Sequence, residues 1–126
     1  MIVKNIIMVG IGGGIGSIAR FLCQKYIYAA WLQTFPLATF LVNIFGCFLI
    51  GIFYALSEKG DILNPTWRLF LTTGICGGFT TFSAFAYENV TLLKTGNFFY
   101  FALYAAGSVF FGIAATFGGI ALFRLI

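Results

Sequence analysis

Four long apolar runs, parted by short clusters of charged and turn-forming residues, organise this chain. No Asp, Glu, Lys or Arg occurs in 5–19, 26–57, 69–87 or 95–123. About 20 apolar residues cross a bilayer core as a helix, so the pattern predicts four spanning helices near 5–28, 36–57, 67–92 and 98–123. Pro36 and Pro65 suit helix starts, where the N–H that proline lacks has no intrahelical partner to lose. The 26–57 run is long enough for Pro36 to divide a loop from the second helix. Connectors at 29–35, 58–66 and 93–97 leave no room for a soluble domain, so residues 1–126 are expected to form one all-α transmembrane domain. Function then belongs to the bundle and its mouths.

Composition strengthens the assignment. The 126 residues are 61% hydrophobic, 20% aromatic and only 8% charged, with a mean hydropathy of +1.04, too apolar for a soluble globular domain. The net charge of +4 is scattered over seven basic residues with no basic face, which argues against nucleic acid as a partner. The chain has no histidine and no carboxylate pair on which acid–base or metal chemistry could be built, so an enzyme is not expected. Lys4 followed by an apolar run has the outline of a signal peptide, but no small-residue cleavage site follows, and a retained first helix is the expectation. Cys23, Cys47 and Cys76, odd in number and in apolar surroundings, are expected only to pack.

The charges also bear on orientation. Lys4, Lys59, Arg68 and Arg124 fall on the side of the termini and Lys25 and Lys94 on the other, with Arg20 inside the first helix. Subtracting Glu58 and Asp61 leaves two net positive charges on each side. So weak a bias specifies orientation poorly. It fits either a noisy small count or a protein that inserts both ways and assembles antiparallel.

Candidate chemistry sits in all four helices. The third carries TTGICGGFTTFSAF, Thr72 to Phe85, which puts glycines and hydroxyls where an uninterrupted spanning helix belongs. Backbone groups freed from a helix inside a bilayer cost several kcal/mol each unless protein, an ion or water satisfies them, so a broken helix here marks a candidate site. Gly77 and Gly78 permit torsions closed to other residues, the flanking threonines and Ser83 can satisfy freed groups, and exposed carbonyls would bind a cation. Phe82 and Phe85, three apart, share a face if winding resumes after the break; they are either core packing or a pair whose positive ring edges face an anion. In the second helix the lone amide of Asn43 must face another helix or a polar path. In the fourth, Tyr104, Ser108, Gly112 and Thr116 recur every fourth residue and share a face, with Gly112 leaving a gap in the hydroxyl ladder. In the first helix Gly10, Gly12, Gly14 and Gly16 form overlapping GxxxG pairs suited to close helix packing, and Arg20 either snorkels to the interface or raises anion concentration at a mouth.

Taken together, GGGIGSIAR, TFLVNIFGCFLIG and GICGGFTTFSAF resemble the CrcB/Fluc family of fluoride channels along nearly the whole chain. The resemblance implies a dual-topology antiparallel homodimer in the plasma (inner) membrane, with two pores and passive fluoride export that relieves intracellular toxicity. It further implies that Phe82 and Phe85 are the ring pair facing the pore and Asn43 its lining amide. Tyr104, Ser108 and Thr116 would form the polar track, and Thr81 and Ser83 the hydroxyls beside the rings. Gly77 and Thr80 would supply carbonyl oxygens, from both subunits, to a structural sodium ion on the two-fold axis. Arg20 matches the first-helix arginine and Glu88 an acidic position after the third-helix motif, where a fixed anion repels the permeant ion unless paired, protonated or near a vestibule. Ala84 and Gly112 depart from the family pattern, the second breaking the track's continuity. Two rival classes are a small dual-topology multidrug transporter, which needs a first-helix carboxylate that this chain lacks, and a non-transporting scaffold, which leaves the break and Asn43 without a purpose.

Overall fold

The computed structural model describes residues 1–30, 34–59 and 63–125. It is all-helical: α1 (Ile2–Ala30), α2 (Leu37–Glu58), α3 (Pro65–Leu69), a π-helical stretch (Phe70–Cys76), α4 (Gly77–Phe79), α5 (Phe82–Lys94) and α6 (Phe98–Leu125). Four spans long and apolar enough to cross a membrane result, Ile2–Ile27, Leu37–Glu58, Pro65–Lys94 and Phe98–Leu125, so the chain is a multi-pass membrane protein. Each span overlaps its expected range and most run slightly longer. Charged residues at the ends, such as Lys94 and Arg124 in the last turns of α5 and α6, continue the helices into the interface. Asp61 and residues 31–33 of the first connector lie outside the described residues.

Pro36 stands at the N-cap of α2 and Pro65 opens α3, where the Asn64 side chain accepts the Trp67 N–H at 3.0 Å. The tight connection from α5 to α6 turns on Gly96, at φ 77°, where the left-handed backbone lets the Asn97 N–H reach back to the Leu92 carbonyl.

Glycines bring the spans together. A methyl group at Gly12 would lie 2.7 Å from the Phe70 carbonyl oxygen, and one at Gly16 or Gly78 would collide with the Ile75 or Gly13 backbone. The first helix is thereby laid directly on the third span. Gly10 and Gly14, by contrast, meet nothing. Of the two overlapping GxxxG pairs, Gly12 and Gly16 pack within the chain. The most extensive contact joins α2 to α6, where Gly51 rests on the Thr116 carbonyl and Gly119 on that of Phe48.

The third span is broken, but not at its glycines. Gly77 is helical (φ −62°, ψ −39°), and its N–H reaches both Gly74 and Thr72 carbonyls as π winding hands back to α. The chain leaves the helix at Thr80 (φ −88°, ψ 158°) and Thr81 (φ −149°, ψ 119°), both extended. The expectation that Gly77 and Gly78 supply unusual torsions is therefore corrected. Two consecutive β-branched residues carry the break, and Gly78 is small because Gly13 of α1 lies against it.

Candidate functional site

The break exposes backbone groups, and four side chains meet them. Asn43 of α2 pairs with Thr81 twice: the Thr81 N–H donates to Oδ1 at 2.8 Å, and Nδ2 donates to the Thr81 carbonyl at 3.0 Å. Arg20 of α1 donates its Nε–H to the Gly78 carbonyl at 3.1 Å. The Thr80 hydroxyl donates to the Cys76 carbonyl at 3.0 Å, and the Thr81 hydroxyl accepts the Ala84 N–H at 3.1 Å as the N-cap of α5. Helical winding would have brought the Thr81 N–H to the Gly77 carbonyl. Its capture by Asn43 leaves that carbonyl without its ladder partner.

Beside the break lies a largely apolar groove of about 310 Å³ that brings together residues the sequence separates by more than sixty positions. Asn43, Thr80, Thr81, Phe82, Phe85 and Ser108 line it, with Gly46, Cys47, Ile50 and Val109. Gly46 is required here, because a methyl group would strike the Thr80 side chain. Phe82 and Phe85 stand one turn apart with ring centroids at 5.6 Å and planes tilted by 44°. Phe82 is 77% exposed, so this ring is not core packing within the chain. Phe85 is half-buried against Tyr104, centroid to centroid 5.0 Å.

The hydroxyl ladder of α6 divides by partner. Tyr104 is fully buried between Phe35 and Phe85, and its O–H donates to Glu88 Oε1 at 2.8 Å. Thr116 donates to the Gly112 and Cys47 carbonyls, each at 3.1 Å. Ser108, on the groove wall between them, has a buried Oγ with no partner among the described residues. Ser83 is exposed and sits 3.4 Å from the Thr81 hydroxyl.

Glu88 is held by hydroxyls. Besides Tyr104, Thr39 donates to its Oε2 at 2.9 Å, and Gln24 donates through Nε2 to the Thr39 hydroxyl at 3.0 Å. The carboxylate thus ties α1, α2, α5 and α6 into one network. Its proximity to an apolar groove is offset by two donated O–H groups. Thr39 and Gln24 were missed from the sequence, although each lies one helical turn from a singled-out residue: Thr39 four before Asn43, and Gln24 four after Arg20. Arg20, expected at a mouth or the interface, also reaches the break through its bond to Gly78. Of the cysteines, Cys76 is buried and Cys47 lines the groove.

A multi-pass bundle with a broken third span and a polar-edged apolar groove places this chain among membrane proteins rather than soluble domains. The model of the family described as CrcB-like protein, Camphor Resistance (CrcB), matches residues 7–120, and the chain belongs to this family. It is similar to proteins named fluoride-specific ion channel FluC from several bacteria. It is 45% identical to that of Flavobacterium psychrophilum over 93% of this chain and 94% of the relative. For Chlorobaculum tepidum the identity is 46% over 99% and 98% of the two chains, and for Phocaeicola vulgatus it is 47% over 93% and 96%.

Proposed function

We propose that this chain is a passive fluoride channel of a bacterial inner membrane, and that it works as an antiparallel homodimer. The observation that carries the reading is 45–47% identity, along nine-tenths or more of the chain, to proteins named fluoride-specific ion channels. Groove chemistry supports it. A small anion that sheds water needs compact donors and positive ring edges, while a wide cationic cavity would also accept larger halides. Ser108 supplies a hydroxyl without an acceptor among the described residues, and the rings of Phe82 and Phe85 line the same groove. Glu88 is paired rather than free, its carboxylate accepting the hydroxyls of Thr39 and Tyr104. Conduction needs no turnover chemistry: hydrogen fluoride enters neutral, dissociates inside, and the negative interior drives the trapped anion out.

The homodimer is supported by the weak charge bias and by what a single chain leaves open. Gly77 and the ring of Phe82 are both exposed. A structural sodium ion belongs to the same reading. The donor set fits it: the Gly77 carbonyl has lost its ladder donor, Thr80 is extended, and both offer hard, neutral oxygens. Bound there, the ion would neutralise carbonyl dipoles brought together from two chains.

Efflux from liposomes containing the purified protein tests the function. Fluoride is expected to leave rapidly while chloride is retained; equal efflux of both, or of neither, rejects the proposal.

A further inference from the structure

The ladder of α6 lacks a polar group at Gly112, yet the groove is not apolar at that level. A methyl group built on Gly112 would touch the Cys47 sulfur at 3.5 Å, so the thiol occupies the volume next to the missing rung. Cys47 is only partly buried and lines the groove with Asn43, Phe82 and Ser108. Its two neighbours on the ladder differ in availability. Thr116 has its proton on the Gly112 and Cys47 carbonyls, whereas Ser108 has a buried, unpartnered Oγ. At the level of Gly112, the S–H of Cys47 is therefore a polar hydrogen that can be offered to an ion without breaking a backbone hydrogen bond. A thiol is a weak donor, but the alternative at this level is the bare face of a glycine.

We infer that Cys47 supplies, from α2, the rung that Gly112 leaves empty on α6, and that its thiol is part of the ion path. The inference rests on the fluoride-conducting reading and adds a residue of α2 to it. It has two consequences. Position 47 should be sensitive to polarity rather than to volume. A small thiol reagent that reaches the path should also close it: the Cys47 thiolate displaces methanesulfinate from methyl methanethiosulfonate, leaving a methylthio group disulfide-bonded to Cys47.

The test is fluoride efflux from liposomes containing wild-type protein and four variants, each first checked for a monodisperse elution profile. Cys47→Ala is expected to pass fluoride about two- to threefold more slowly than wild type, the low end of what the loss of one hydrogen bond gives. Cys47→Ser, with a stronger donor, should be faster than Cys47→Ala. The double variant Cys47→Ala/Gly112→Ser should recover flux by placing a hydroxyl in the vacated volume, and Cys47→Ala/Gly112→Ala should not. Methyl methanethiosulfonate should stop efflux in wild type and leave that of Cys47→Ser untouched. Wild-type flux in Cys47→Ala, equal recovery in both double variants, or unchanged efflux after treatment, whether or not mass spectrometry finds Cys47 labelled, each overturns the inference. Wild-type protein that passes no fluoride overturns the channel reading and this inference with it.

Discussion

Asn43 and Thr81 form a closed reciprocal pair, the amide oxygen accepting the Thr81 N–H at 2.8 Å while the amide nitrogen donates to the Thr81 carbonyl at 3.0 Å. A side chain on α2 thus does for the broken span what the next helical turn would have done. The amide has the right chemistry because it alone among small side chains offers one acceptor and one donor in a plane. Asn43→Leu, of similar size, strands both backbone groups, at about 1–3 kcal/mol each. The variant is expected to melt at lower temperature in detergent and to lose fluoride flux. Asn43→Asp keeps the acceptor but not the donor and places a charge in the span, so it should rescue neither property. An unchanged melting temperature for Asn43→Leu would show that water replaces the amide without cost.

The ring pair gives a prediction in which stability and flux separate. Phe82 is 77% exposed in the single chain, so Phe82→Ile should lower the melting temperature less than Phe85→Ile does, while fluoride efflux falls. Phe85 packs on Tyr104, centroids 5.0 Å apart, and Phe85→Ile should lower both. Isoleucine keeps apolar bulk and removes the positive edge. Wild-type efflux in both variants would return the pair to a packing role.

How far the sequence foretold this arrangement depends on what a residue type can mean. The spans were legible because long charge-free runs fit little besides a bilayer, and α2 begins and ends almost where Pro36 and Glu58 place it. That Asn43 needs a partner was legible; that the partner is the backbone of Thr81 was not, because Gly77 and Gly78 draw the expected break to themselves. A glycine signals either unusual torsion or close approach, and only the position of α1 shows that Gly78 serves the second. Thr39 and Gln24 carried no motif of their own. Their helical spacing from Asn43 and Arg20 was the available signal, weak because spacing alone does not reveal that Glu88 lies opposite.

Arg20 provides an independent check on the break. Its Nε–H donates to the Gly78 carbonyl, a charge-assisted bond worth about 1.5–3 kcal/mol. Lysine cannot reproduce a side-on donor of this kind, so Arg20→Lys and Arg20→Met are both expected to be destabilising, with lysine recovering little. Thermal melts of the two variants decide it. Full stability in Arg20→Lys would mean that charge at a mouth, not the bond to Gly78, is what the position requires.

The antiparallel assembly is testable without function. A C-terminal tag should be accessible to protease from both faces of sealed inverted and right-side-out vesicles, each releasing a substantial fraction. The basis is the weak charge bias: Lys4, Lys59, Arg68 and Arg124, less Glu58 and Asp61, leave the same net charge as Lys25 and Lys94. Tags cut from one face only would exclude the arrangement.

The proposed sodium site should exist only in the dimer, because each chain contributes two carbonyls. The Gly77 carbonyl has lost the Thr81 N–H to Asn43, and the extended backbone at Thr80 takes its carbonyl out of the helical ladder. Burying such dipoles from two chains face to face is costly without a cation, and no group of three or more carboxylate, thiol or imidazole ligands that would favour a divalent metal occurs among the described residues. Neutral oxygens suit a monovalent ion that stays in place. After extensive dialysis, replacing sodium with a large organic cation on both sides should weaken dimer stability and fluoride flux together, and restoring sodium should restore both. Flux and dimer stability that ignore the cation exchange, with no sodium bound in the purified dimer, would leave side-chain hydroxyls or water as the partners of these carbonyls and remove sodium from the assembly.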